Sequence, residues 1–308
     1  MRIAALAGGV GAARFLSGLV QVIDPENLTI IVNTGDDFRW MGLHVSPDID
    51  TMTYTLAGIA HCDRGWGLEG DSFLCLDRLK QLGGTAWFAV GDRDLATHLY
   101  RTEEMRRGDR LSSITSRVAA ALGVRSRILP MTDDPVPTEV QTAEGSLPFQ
   151  DYFVRRQCIP AVTAVRFSDI DNARPAPGVM EALDAADAVI LCPSNPLISI
   201  GPILSVPGIR PALQRLTVRR VAITPLVEGR ALKGPTAKMM RETGLEVSAR
   251  GVARLYRDVI DTFILDRRDA AARDSITEMG LRVRSLDTMM VSPAARVRLA
   301  REVMDTLA

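Results

Sequence analysis

The stretch NTGDDFRWMGLHVSPDIDT carries four aspartates, Asp36, Asp37, Asp48 and Asp50. Carboxylates gathered this way serve two kinds of chemistry. They hold a divalent cation against a phosphate, or they take a proton from an attacking hydroxyl. Ser46-Pro47 reads as a helix start, with Ser46 as N-cap and Pro47 in the first helical position. Asp48 then sits in the first turn, where the helix dipole alone favours a carboxylate. Asp50 lies two residues on, about half a turn away. Adjacent Asp36 and Asp37 diverge if the chain is extended there. One acid from each pair is therefore the economical choice for Mg2+, with water and phosphate oxygens completing the shell. Asp36 and Asp50 are the expected pair, and Asp37 and Asp48 are in reserve.

A second candidate lies near the start, in AALAGGVGAARFLSGL. A strand-like run leads into Gly8, Gly9 and Gly11, which allow close backbone approach at a helix start and so favour a bound anion. Arg14 stands where a third glycine would complete G-x-G-x-x-G, and it offers a cation to a phosphate oxygen. A phosphate cradle is the favoured reading. A dinucleotide site with Asp36 on the ribose, and a purely structural turn, are the alternatives.

These residues need a scaffold that brings their loops together. RIAALAG, LTIIVNTG, AWFAVGD, RILPMTD, AVILCPS and RVAITPL read as buried strands. Amphipathic stretches such as DIDTMTYTLAGI, LSSITSRVAAALG and PGVMEALDAAD lie between several of them. That alternation predicts an α/β, Rossmann-like three-layer fold with a mostly parallel sheet. The segment PTEVQTAEGSLPFQDYFVRR instead alternates polar and apolar residues about AEGS, predicting an inserted hairpin around 135–160 within one α/β unit spanning 1–308. Ligands of such sheets lie beyond the carboxyl ends of the strands. GGVG, NTGDD, GDRD, MTDDP and PSNP are therefore expected to face one crevice.

Composition narrows the partners. The 308 residues balance 37 Lys and Arg against 37 Asp and Glu, so no basic field points to nucleic acid. The four cysteines show neither C-x-x-C nor zinc-ligand spacing, and read as incidental thiols of a reducing compartment. No leader pattern and no bilayer-length apolar run is visible, so a cytoplasmic protein without a membrane partner is expected. No G-x-S-x-G elbow supports a serine hydrolase.

Taken together and in order, GGVGAARFLSGL, NTGDD, SPDIDT, DRGWG, GDRDLATHL and PSNPLISIGPIL resemble the 2-phospho-L-lactate transferase family, and more closely its bacterial phosphoenolpyruvate transferase branch. The resemblance runs from residue 1 to about residue 240. The GGVG loop, in place of the archaeal GGTG, carries the assignment to the bacterial branch. What it implies is transfer of a phospho-three-carbon-acid group from a guanosine diphospho-linked donor to the ribityl hydroxyl of the deazaflavin Fo. GMP is released, magnesium is required, and the product serves coenzyme F-420 biosynthesis in a homodimeric enzyme. The acid carried is phosphoenolpyruvate, 2-phospholactate or 3-phosphoglycerate. By motif, Gly9, Gly11 and Arg14 would hold donor phosphate, and Asp36, Asp37 or Asp50 would act on the metal or the hydroxyl, with Asp48 beside them. Ser194, Asn195, Ser199 and Ile200 would receive guanosine. Asp92, Arg93 and His98 would line the Fo or donor pocket, with Arg64 and Trp66 as a cation and a stacking surface. Two other functions compete: a nucleotide-sugar-binding regulator of the same fold, and a nicotinamide-dependent oxidoreductase built on the opening loop. An apolar run such as GPILSVPGI suits either a subunit interface or the core.

Overall fold

The computed structural model describes residues 1–62, 64–231 and 233–307. In chain order the elements that matter are β1 (Ile3–Ala7), α1 (Gly9–Leu19), β2 (Leu28–Val32), α2 (Pro47–Leu56), α3 (Asp92–Arg106), α4 (Leu111–Ala121) and β3 (Arg127–Pro130). They continue as α5 (Val179–Asp184), β4 (Ala188–Leu191), α6 (Ile200–Ser205), α7 (Ile209–Arg215), β5 (Arg219–Ile223), α8 (Ala249–Tyr256), β6 (Thr262–Asp266), β7 (Arg282–Leu286) and α9 (Pro293–Leu307). The seven strands form one sheet in the order β7-β6-β5-β4-β1-β2-β3, every neighbour parallel.

Both faces of this sheet are buried, which is why its strands read as continuous apolar runs. Residue parity separates the faces. Ala4, Leu6, Ile31, Val189, Leu191, Ala222 and Phe263 pack beneath α5, α6, α7 and α8. Ile3, Ala5, Ala7, Ile30, Val32, Ile190 and Ile223 pack beneath α1, α2, α4 and α9. Ala5 lies between Ile30 of β2 and Ile190 of β4, so small residues in β1 sit beside branched ones across the central register. The run GPILSVPGI is core: Ile203, Val206 and Ile209 are fully buried on the first face.

Strand order reverses between β1 and β4, and a crevice opens there outside their carboxyl ends. The loop after β1 is the glycine turn, and the loop after β4 is Pro193-Ser194-Asn195-Pro196.

Five of the six expected strands are present. AWFAVGD is not a strand. Its Phe88 and Val90 join Trp40, Val45 and Leu76 in a small separate apolar cluster near the two-stranded hairpin Phe38–Trp40 and Leu43–Val45. An apolar run that short cannot by itself distinguish a strand from an irregular packed segment. Two further strands, β6 and β7, come from the region beyond residue 240. The segment around 135–160 forms two antiparallel strands, Thr138–Thr142 and Gly145–Pro148, and a third strand, Val162–Phe167, completes a small sheet.

No described helix is long and apolar enough to cross a membrane.

Candidate active site

A cavity of about 750 Å³ occupies the switch point. That volume suits one or two small ligands. Its walls come from the glycine turn, the start of α2, the loop after β4, the aromatic pair Trp87-Phe88 and the segments Phe149–Val154 and 288–291.

The glycines of the turn have separate reasons. Gly9 holds φ +71°, a backbone conformation unfavourable to any L side chain. A Cβ at Gly8 would begin 2.6 Å from Asp48 Oδ2, and one at Gly11 would collide with the Pro193 carbonyl oxygen. The loops after β1 and β4 therefore approach as closely as backbone allows. The helix start does not wait with all its donors free. Gly9 N–H donates to Asp48 Oδ1 at 2.8 Å, and Gly8 N–H to Ser194 Oγ at 3.3 Å. Val10, Gly11 and Arg14 line the cavity beyond them. Arg14 lies one and a half turns into α1, far enough along to place its guanidinium at the wall without crowding the turn.

Asn33, the first residue of the acidic motif, ties it down. Its Nδ2 donates to Asp48 Oδ2 at 2.9 Å and to the Ile198 carbonyl at 3.2 Å, while its Oδ1 accepts from Gly35 N–H at 2.9 Å. One buried amide thus connects β2, α2 and the loop after β4. Sequence reading passed over it, because Asn33 looked like turn chemistry before Gly35.

The aspartates divide differently from the expected pairing. Asp36 lines the cavity, and its Oδ1 is buried with no hydrogen-bond partner among the described residues. Burial, and then the charge of Asp48, hold its carboxyl well above the usual carboxylate range. Burial also pushes Asp48 up to about 6, against hydrogen bonds from Asn33 and Gly9. It is Asp48, therefore, that faces Asp36 electrostatically. Asp50 lines the cavity too, but Arg101 grips it with both guanidinium ends, Nη1 lying 3.1 Å from Oδ2 and Nη2 bonding Oδ1. Asp37 is outside the cavity wall: its Oδ2 pairs with His44 Nε2 at 3.0 Å and accepts from Ser46 Oγ at 2.7 Å. That bond also removes Ser46 from the side-chain capping role its position suggested, although Pro47 opens the helix as expected.

His98 and Asp94 of α3 line the cavity beside Asp50. Arg101 Nη1 lies 3.3 Å from His98 Nδ1, His98 Nε2 lies 3.5 Å from Asp94 Oδ1, and Tyr54 donates to Asp94 at 2.8 Å. Burial raises the Asp94 carboxyl, but the hydrogen bond from His98, its charge and the bond from Tyr54 outweigh it and hold the group low. Burial disfavours the charged Arg101, yet Asp50 more than compensates. The motif GDRDLATHL was read for Asp92, Arg93 and His98, and only His98 reaches the cavity. Asp92 instead accepts from Ser72 Oγ and from the N–H groups of Leu74 and Cys75, opening the helix Leu74–Gln81. Arg93 donates to the carbonyls of Glu69 and Gly70. Both are struts of a neighbouring loop, because α3 turns their side chains away from the face that carries Asp94, His98 and Arg101.

Ser194, Asn195 and Ser199 line the cavity. Asn195 Oδ1 accepts from Leu197 N–H at 2.9 Å, and its Nδ2 is buried without a partner among the described residues. Ile200 does not reach the cavity; its side chain is core. Arg64 and Trp66 are at the wall, with the guanidinium 5.1 Å from the indole centroid and 5.4 Å from the Phe73 ring. MTDDP and GDRD do not join the crevice as turns: Asp133 binds Ser112 at the start of α4, and Asp134 accepts from Arg174 N–H. Three of the five polar turns converge. The wall formed by Thr288, Met289, Met290 and Val291 had no signal in the sequence, since it follows a strand that was not recognised.

A parallel α/β sheet with a glycine turn, an arginine and crowded carboxylates lining a cavity at its switch point is the ligand-binding arrangement of doubly wound α/β proteins. The chain belongs to the 2-phospho-L-lactate transferase CofD family, whose profile matches residues 3–300, and it is a transferase. It is 38% identical over 297 residues to the 2-phospho-L-lactate transferase of Methanosarcina mazei, covering 96% of this chain and 97% of that one. It is 39% identical over 311 residues to the phosphoenolpyruvate transferase of Streptomyces griseus, covering 99% and 98%. A crystal structure of a upf0052 family member from Bacillus halodurans superposes with TM-score 0.64 at 15% identity, over 98% of both chains, and shows the same fold. The family match extends about 60 residues beyond the region that the resemblance covered, taking in β6, β7 and part of α9.

Proposed function

We propose that this transferase moves a phospho-three-carbon-acid group from a guanosine diphospho-linked donor to the terminal ribityl hydroxyl of the hydroxydeazaflavin Fo, releasing GMP, in coenzyme F-420 biosynthesis. The observation that carries this reading is the joining of Gly9, Gly11, Arg14, Asp36 and Asp48 on the wall of one cavity that also carries Trp66, Trp87, Phe88, Phe149 and Phe153. The donor acid is assigned as phosphoenolpyruvate, on the bacterial form of the GGVG loop.

In this reading the hydroxyl oxygen attacks the phosphorus bearing the acid, the bond to the GMP oxygen breaks, and the hydroxyl proton passes to a cavity carboxylate or water. Arg14 and the open N–H groups of α1 hold donor phosphate, so most of the rate comes from positioning and charge neutralisation. The residues present suit a divalent cation. Asp36 keeps a buried oxygen with no partner, and two of its three neighbouring carboxylates press on it. Asp36 would anchor Mg2+, and Asp48 and Asp50 are the carboxylates that α2 brings to the same cavity. When bound, the cation neutralises charge on the transferred and leaving phosphate oxygens. Asn195, Ser194 and Ser199 would meet the guanosine part. A homodimer in the cytoplasm is the working assembly and location.

The test supplies Fo with GTP, a guanylyltransferase and each acid in turn, with magnesium present or removed, and identifies products by mass. A magnesium-dependent adduct of Fo with phosphoenolpyruvate is expected. Folded protein with a working coupling enzyme and no adduct from any acid would leave the nucleotide-sugar regulator as the better reading.

A further inference from the structure

One polar side chain of the cavity is used by nothing described above. Gln150 is 6% exposed, lines the cavity, and its amide makes no hydrogen bond to any described residue. Some of the little exposure Gln150 keeps lies at its amide, which is open to the cavity and available to a ligand. Its surroundings are aromatic. Phe149 and Phe153 flank it in sequence, line the same cavity and stack on each other with centroids 5.4 Å apart and planes within 9°. Phe149 is held by the small core that includes Ile198, whose carbonyl is fixed by Asn33, so the segment is anchored to the loop after β4. Phe153, 38% exposed, leaves part of its ring open to a ligand.

A primary amide offers one acceptor and one donor side by side. The matching partner is a lactam or imide edge, an N–H next to a C=O on a flat ring. We infer that Gln150 reads such an edge while the ring lies against the aromatic walls. Resting on the function proposed above, two molecules carry that edge, the guanine of the donor and the pyrimidinedione of the deazaflavin acceptor. Adenine does not. Gln150 is thus a specificity-determining residue for one of the two substrates and takes no part in the bond-making step.

Calorimetric titration of the full chain with GDP and Fo tests this in wild type, Gln150→Leu and Gln150→Glu, each checked for an unchanged melting transition. Wild type is expected to bind both GDP and Fo. Gln150→Leu should weaken either GDP or Fo by roughly 10- to 100-fold, as loss of a paired donor and acceptor implies, and leave the other within about 2-fold. If guanine is the ring read, GDP binding falls and Fo binding holds; if the deazaflavin is, the reverse is seen. Gln150→Glu, which keeps an acceptor and loses the donor, should weaken the same ligand. Unchanged binding of both ligands, or equal loss of both, would overturn the inference. Failure of wild type to bind either would overturn it together with the proposed function.

Discussion

At the scale of single residues, the site is a problem of packing negative charge. Asp36, Asp37 and Asp48 crowd one corner: Asp48 and Asp37 raise the cost of ionising Asp36, and Asp37 that of ionising Asp48. Because the folded-state value for Asp48 is raised from 3.8 to about 6, the folded protein holds that proton more tightly than the unfolded chain. The resulting stability is complete below the unfolded value and is lost as pH rises through about 6. Asp48→Asn removes this dependence. Measured without divalent cations by denaturant unfolding, the variant should gain on wild type between pH 4.5 and 7.5, by on the order of 3 kcal/mol at most. A difference that stays flat across this range would show that Asp48 ionises freely in the fold. Burial raises Asp50 as well, more than the Arg101 charge offsets, but Asp50 is held in a buried ion pair with that guanidinium. Arg101→Met should cost about 3–5 kcal/mol by stranding the carboxylate. Adding Asp50→Asn should recover much of that loss, and a double-mutant cycle showing simple additivity would mean that the two groups do not depend on each other.

At the scale of elements, α1 is held by backbone proximity at both ends. Its start meets the Pro193 carbonyl at Gly11, and its last turn meets the backbone of α9 at Gly18, where a Cβ would collide with Arg296. Gly18 is therefore a packing glycine, the role that the third glycine of a dinucleotide fingerprint normally fills four residues earlier. Arg14 is free to face the cavity because close packing is done elsewhere along the helix. Gly18→Ala should lower stability by about 1–3 kcal/mol through overpacking between α1 and α9. Thermal unfolding checks this, and an unchanged or higher melting temperature would mean that α9 shifts without penalty. Transferase activity at a temperature where the variant is fully folded should stay close to wild type, since the Gly8–Gly11 turn is untouched.

At the scale of the whole molecule, cation binding and folding are linked. The carboxylates around Asp36 are assembled only by the tertiary fold, so Mg2+ should bind the folded chain and raise its stability, by about 2.7 kcal/mol at a hundred times its dissociation constant. Asp36→Asn should remove that increment and reduce transfer to Fo by at least about 100-fold. Its own stability without cations should match or exceed wild type, because a buried carboxylate pressed by Asp48 and Asp37 is gone. A melting temperature that responds equally to Mg2+ in both proteins would place the cation elsewhere.

What could be read directly from the chain follows from local rules. Apolar runs of strand length alternating with helical periods can bury both faces only as a covered parallel sheet, and glycine beside a helix start marks close backbone approach. From these came the three layers, the glycine turn, the acidic motif and the crevice that unites them with Ser194 and Asn195. What only the tertiary structure decided is how each polar side chain is used. The sequence spacing of Asp48 and Asp50 says that they diverge, but not that Asn33 and Gly9 claim one and Arg101 the other. Asp92 and Arg93 share a motif with His98, yet helix geometry sends them to a neighbouring loop. Gln150 and the wall at 288–291 reach the cavity from segments far from any motif. Hydrogen-bond partners are set by which elements meet in space, and one-dimensional spacing carries that information only within a single helix or turn.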